Sequence, residues 1–145
     1  VLVLVDVLVL VLVFASVDVR QPSNPTGQRR YLHMLTFQKL DVYRCSIEFA
    51  SIAAELCNGI PRGHTALRDQ LRRAAFSVPL NIAEATGRVS AADGARHFAI
   101  ARGSAMECAA VLDVVRVLGA VPEDQHRQAV ELLGRMVSML SKLSR

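Results

Sequence analysis

QLRRAAFSVPLNIAEATGR, from Gln70 to Arg88, joins a helical apolar pattern to polar residues that sit on the apolar face. Within it and just before it, Leu67, Leu71, Ala74, Val78, Asn81 and Ala85 recur at alternating spacings of four and three. That is the period of a helix face packed in a bundle. Asn81 therefore lands on a core line, where an amide left without partners costs on the order of 1 to 3 kcal/mol. Pro79 removes one backbone donor from the same run, so the helix is expected to bend there and free a carbonyl near residue 75.

Working outward, the spacing predicts this helix over about Arg62 to Ala85, with Gly87 in the turn that follows. Ser90 with Asp93 three residues on approximates a capping box, so a third helix should start there and run to about Leu118, closed by Gly119. Its core line is Phe98, Ala101, Ala105, Cys108, Leu112 and Val115. Pro122, Glu123 and Asp124 form a good first turn for a fourth helix that continues to about Leu143. On that helix His126, Ala129, Leu133, Met136, Leu140 and Leu143 share one line.

On the N-terminal side a helix is predicted from about Phe37 to Cys57, and it carries two apolar lines. Leu40, Tyr43, Ile47, Ala50, Ala54 and Cys57 form the first; Val42, Cys45, Phe49, Ile52 and Leu56 form the second. Asp41, Arg44, Glu48, Ser51 and Glu55 make a polar line between them. A helix with two seams is buried on two sides, which in so small a chain points to subunit contacts as well as an internal core. Four helices joined by short turns give an all-α, antiparallel up-down-up-down four-helix bundle over residues 34–145.

Residues 1–14, VLVLVDVLVLVLVF, are a low-complexity Val/Leu repeat broken only by Asp6, and a polar linker from Gln21 to Arg30 separates them from the rest. The repeat suits a buried strand and is too short and too β-branched for a membrane span. No basic region precedes it as a signal peptide would require. The preferred reading makes residues 1–33 an apolar appendage outside the fold, with a hydrophobic anchor or a strand donated to a partner as the alternatives. No membrane role is expected of the bundle.

At 145 residues the chain suits one domain on a prior of about 100 to 200 residues each. Arginine dominates its basic residues, 15 against two lysines, for a net charge of +4. That permits a polyanionic partner but falls short of the dense basic patches of dedicated nucleic-acid binders. Cys45, Cys57 and Cys108 stand in no metal or redox spacing and fall on apolar lines, so they read as reduced core residues in a cytoplasmic compartment.

A hairpin of the second and third helices that turns near residue 89 brings together positions whose numbers sum to about 178. Asn81 then faces His97, and Ala74 and Ala75 face Ser104 and Gly103. Glu107 falls on the apolar line Ile100, Gly103, Glu107, Val111 and Val114, level with Leu71 and Arg72. A carboxylate there should not be buried alone, so an ion pair with Arg72 or Arg73 is expected. Glu84 has Arg88 one turn on and Arg96 across the turn. Asn81, Glu84, Arg88, Arg96, His97, Ser104 and Glu107 thus form a polar network. Its first reading is structural, a set of pairs that fixes helix register; its second is a ligand pocket. The Glu-x-x-His arrangement of di-iron bundles is absent, as are a glycine-rich phosphate loop and a nucleophile, base and orienter set, so no metal, cofactor or catalytic residue is assigned.

QLRRAAFSVPLNIAEATGR, RHFAIARGSAMECAAVLDVVRVLG (Arg96 to Gly119) and FQKLDVYRCSIEFA (Phe37 to Ala50) together resemble the bacterial four-helix-bundle family named after proteins encoded in intervening sequences of 23S rRNA genes. The likeness covers about Met34 to Arg145. Its motifs are NIAE at Asn81 to Glu84 and ARGSAME at Ala101 to Glu107; Ala85 stands where the family usually has glycine. The resemblance implies a cytosolic homo-oligomer, a pentamer, without an established enzymatic activity. More distantly the chain resembles the accessory protein of diversity-generating retroelements, a basic pentameric barrel that contacts nucleic acid. The family's name records where its genes lie, and it supplies no catalytic residues to carry over.

Two functions follow as expectations. One is an oligomeric module that binds RNA or DNA through arginines, with Arg62, Arg68, Arg72 and Arg73 as one cluster and Arg135, Lys142 and Arg145 as another. In a ring these charges multiply by the subunit count. Aromatic residues for base stacking are scarce, with no Trp and two Tyr. The other is an oligomeric scaffold for a protein partner, without nucleic-acid binding. An enzyme is not expected: only His97 beside Asn81 and Glu84 could begin an active site, and a lone histidine on a bundle face is more often structural.

Overall fold

The computed structural model describes residues 35–145, so the expectations for residues 1–33 lie outside the described residues. A short 3₁₀ turn at Thr36–Lys39 leads through Leu40, which is extended at φ −74° and ψ 128°, into α1 (Asp41–Gly59). A second such turn at Arg62–His64 precedes α2 (Thr65–Gly87), followed by α3 (Ala91–Val117) and α4 (Glu123–Leu143). The chain is a four-helix bundle in which each helix packs on its neighbours in sequence and α4 also packs on α1.

Local chemistry sets the helix ends. α1 begins four residues later than the periodicity suggested, because the extended Leu40 interrupts the helical path after the 3₁₀ turn. Phe37 still packs edge-on against Tyr43, with ring centroids 4.8 Å apart. Pro61 biases the residue before it toward extended backbone, and Ile60 at φ −72° and ψ 123° ends the helix. α2 runs through the buried Pro79 and includes Gly87, two residues beyond its expected end. Ser90 caps α3 by accepting the amide of Asp93 at 3.5 Å. At the other end Gly119 adopts φ +65°, its amide donates to the Arg116 carbonyl and the Ala120 amide to that of Val115. This is the left-handed glycine closure in which two otherwise unpaired carbonyls are satisfied.

Cross-helix contacts give the directions. Ser77 with Ser104 and Asn81 with His97 make α2 and α3 antiparallel; Asp113 with His126 and Arg116 with Glu123 do the same for α3 and α4. Leu40 and Val42 lie beside Met139 and Leu143 at one end, while a side chain at Gly59 would meet the Ala120 carbonyl at the other. α1 and α4 are therefore antiparallel too.

Phe49, Leu71, Ile82, Leu112, Leu133, Met136 and Leu140 are fully buried at the centre. Burying side chains of this size stabilises by about 1.5 to 3 kcal/mol each. The two lines of α1 separate clearly. Val42, Cys45, Phe49 and Leu56 of the second line enter the core with Ile52 half-buried, whereas Leu40, Tyr43, Ala50 and Ala54 of the first are half-buried, Ile47 is 40% exposed and only Cys57 at its end is fully buried. On α3 the apolar line from Ile100 to Val114 turns out to face outward, with only Val111 buried. All three cysteines are buried free thiols. Burial raises the pKa of Cys57, and burial together with neighbouring Glu107 pushes Cys108 up to about 12. No helix among the described residues is long and apolar enough to cross a membrane.

Candidate functional site

The polar residues of α2 and α3 meet along one seam. Ser77 stands one turn before Asn81 on α2, and the Asn81 amide nitrogen donates to its carbonyl at 2.9 Å and to its hydroxyl at 3.1 Å. A carbonyl can only accept, which orients the amide: Nδ2 faces Ser77 and Oδ1 faces α3. There Oδ1 lies 3.2 Å from His97 Nδ1. An amide oxygen can only accept, so Nδ1 carries the hydrogen.

Ser77 and Ser104 place their hydroxyl oxygens 2.8 Å apart, and Ser104 lies 3.2 Å from the Ile100 carbonyl. Each hydroxyl has one hydrogen, so every donor is used once when Asn81 donates to Ser77, Ser77 to Ser104, and Ser104 to Ile100. Glu84 continues the seam toward solvent. It pairs with Arg88 one turn on, and its other oxygen is 3.6 Å from His97 Nδ1. The His97 side chain is 16% exposed and that of Glu84 50%, so the seam runs from a dry interior to a wet rim. Its polar atoms satisfy one another, as buried polar groups must. These hydrogen bonds tie α2 to α3 at Asn81–His97 and Ser77–Ser104.

Two expected pairs differ. Glu107 is exposed, and it accepts from Gln70 Nε2 at 2.6 Å rather than pairing with Arg72 or Arg73. Because its face of α3 is open to water, no buried charge demands compensation. Arg96 is also exposed, and among the described residues it makes no ion pair with Glu84, whose oxygens are taken by Arg88 and His97.

Sequence reasoning passed over three participants. Ser77 stands one turn before Asn81, but the hairpin register near 178 sets Ser104 opposite Ala74, and the pairing of the two serines emerges only in the structure. His126, buried on the α4 core line, places Nε2 3.2 Å from Asp113 Oδ1. Arg116 holds Glu123 bidentately, Nε and Nη2 each 2.9 Å from a carboxylate oxygen. The latter two pairs sum to 239, the register of a second hairpin turning near Gly119.

The basic candidates fall into two places. Arg62 and Arg73 are exposed and Arg68 and Arg72 half-buried, all at the N-terminal end of α2. Arg68 and Arg72 lie on its α1 side: the Cys57 thiol donates to the Arg68 carbonyl at 3.5 Å, and both guanidinium charges act on that thiol. Arg68 Nε is 3.9 Å from Asp69 and has no hydrogen-bond partner among the described residues. Arg135 and Lys142 are exposed on the C-terminal half of α4, and Arg145 is exposed just past its end. Lys142 borders a shallow apolar cavity of about 230 Å³ with Leu40, Val42, Met139 and Leu143, at the end of the bundle opposite α2's arginines. The structure does not bring the two clusters together within one chain. Among the described residues no group of three or more His, Cys, Asp or Glu could hold a metal ion.

Comparison with known proteins agrees with this architecture. Residues 38–142 match the family described as 23S rRNA-intervening sequence protein. Among solved structures, a protein of unknown function from the S23 ribosomal protein family of Bacteroides thetaiotaomicron VPI-5482 superposes with a TM-score of 0.67 at 22% identity, over 72% of this chain and 98% of that one. At that identity the likeness shows the fold. No curated protein matches the chain. With most of the bundle inside the matched region, the chain belongs to the 23S rRNA-intervening sequence protein family.

Proposed function

We propose that this protein is a non-enzymatic, cytoplasmic homo-oligomer, a pentamer, that binds RNA or DNA through its basic surface. The observation that carries this reading is that Arg62, Arg68, Arg72 and Arg73 follow one another from the turn before α2 into its first half, outnumbering Asp69 and the Glu107 that accepts from Gln70 among them. Repeated around a ring, such clusters give a field that one chain of net charge +4 does not. The half-exposed first line of α1 supports assembly, because an apolar seam left at the surface of a monomer is stabilised by a partner. Few aromatic residues are present to stack bases, so the recognition is of phosphate, independent of sequence. Titration of the assembled protein with RNA and duplex DNA at two salt concentrations tests it: affinity should fall steeply with salt, and Arg62→Ala with Arg73→Ala should reduce both affinity and salt slope.

A second reading, an oligomeric scaffold for a protein partner, draws on a different observation. Val114 and Val117 on the outer face of α3 are 48% and 87% exposed, a surface suited to another helix rather than to phosphate.

A further inference from the structure

The chain has three asparagines, and each meets a different neighbour. Asn24 precedes Pro25, whose ring nitrogen carries no hydrogen. Asn81 precedes the fully buried Ile82, and its own amide is held by Ser77 and His97. Asn58 precedes Gly59 at the very end of α1. Both residues are exposed, and the Asn58 amide makes no hydrogen bond among the described residues.

The last turn of α1 is weakly held. Asparagine and glycine are poor helix formers. The turn has no basic residue to meet its unpaired carbonyls, and Ile60 leaves the helical path at once. Helix ends of this kind fray. The flanking Cys57 and Ile60 are 0% and 3% exposed, which confines the opening to the Asn58–Gly59 peptide. A Cβ on Gly59 would stand 3.4 Å from the Ala120 carbonyl, so the close pass of the α3–α4 turn gives glycine a packing reason to be there. The same glycine leaves its amide nitrogen unshielded by any side chain.

From these observations we infer that Asn58 is a site of spontaneous deamidation, gated by opening of the last turn of α1. In the closed turn the Gly59 amide points back along the helix, away from the Asn58 side chain. Once it opens, solvent base removes the amide proton and the Gly59 nitrogen attacks Asn58 Cγ, forming a five-membered succinimide. The Cγ–Nδ2 bond breaks, and ammonia leaves with a proton taken from water. Water then adds to either ring carbonyl and the ring C–N bond opens, giving aspartate or isoaspartate; the net change is one water in and one ammonia out, with no oxidant or reductant. Either product sets a carboxylate at the C-terminal end of α1, where the helix dipole opposes it. Isoaspartate also adds a backbone methylene between the two buried residues, Cys57 and Ile60.

Peptide mass analysis of the full chain, folded and in urea, after incubation in mildly alkaline buffer tests this. Tryptic cleavage at Arg44, Arg62, Arg73 and Arg88 places Asn58 in residues 45–62 and Asn81 in residues 74–88. In the folded chain the first peptide should gain the mass of exchanging NH₂ for OH and split into two products, while the second stays unchanged. Urea should speed conversion of the first by about tenfold or more, because local opening is no longer required. Asn58→Gln should abolish the gain, and aged wild type should unfold at lower urea than aged Asn58→Gln. A first peptide that stays intact in the folded chain while converting in urea overturns the site. So does conversion of residues 74–88 at the same rate, or a gain that persists in Asn58→Gln.

Discussion

Replacing Asn81 with alanine removes the centre of the α2–α3 seam. The side chain makes hydrogen bonds of 2.9 and 3.1 Å to Ser77 and one of 3.2 Å to His97. The Ser77 carbonyl lies within α2, where it also receives a helical amide, so its loss costs little. The other two bonds contribute about 0.5 to 1.5 kcal/mol each. Alanine's better helix propensity returns about 0.5 kcal/mol. The expected loss is therefore about 0.5 to 2.5 kcal/mol, read from the urea midpoint at fixed protein concentration, because assembly would otherwise move the apparent stability. A double-mutant cycle with His97→Ala should give a coupling of about 0.5 to 1.5 kcal/mol, whereas independent sites add within about 0.3 to 0.5 kcal/mol. A loss below about 0.5 kcal/mol, or additivity in the cycle, would refute the seam as the register-fixing element.

Other outcomes can be checked on the same purified protein. Gly134→Ala, in an open position on α4, should stabilise by about 0.5 to 1 kcal/mol, while Gly94→Ala should gain nothing because its Cβ would meet the Ala85 carbonyl at 3.2 Å; thermal melts compare them. Burial, with Glu107 beside it, pushes the Cys108 thiol up to about 12 from its ordinary value near 9, so the native state holds its proton more tightly. Stability contributed by this group is full below about pH 9 and is lost as pH rises toward 12, and Cys108→Ala should flatten that fall in alkaline urea titrations. Asp113→Ala should destabilise by about 1 kcal/mol or more by stranding the buried ring nitrogen of His126, and adding His126→Leu should recover much of the loss.

The sequence carried the bundle because apolar spacings of four and three survive on α2 and α4, where one side of the helix faces the core and the other faces water. α1 and α3 were harder. Both are apolar on more than one side, and periodicity alone says that a line exists without saying which line is inside. The α1 seam through Phe49 is mostly core and that through Ile47 is mostly not until Cys57, a difference created by where α2 and α4 lie. On α3 the same ambiguity led to Glu107 being given a counter-charge it does not need. The facing of Asn81 and His97 was legible, since hairpin register follows from the turn position. Ser77 was missed because a serine on a helix carries no signal until its neighbour across the hairpin is considered. The arginines were legible as residue types, but their division between opposite ends of the bundle emerges only from the antiparallel path.

The most direct test of the account combines light scattering with RNA titration of the full chain at low and physiological salt. A defined oligomer whose affinity for RNA falls about tenfold or more across that range is predicted, since each phosphate neutralised by arginine releases counterions. The same oligomer with no affinity at low salt would contradict nucleic-acid binding and direct the search to a protein partner, and a single chain in solution would contradict the assembly itself.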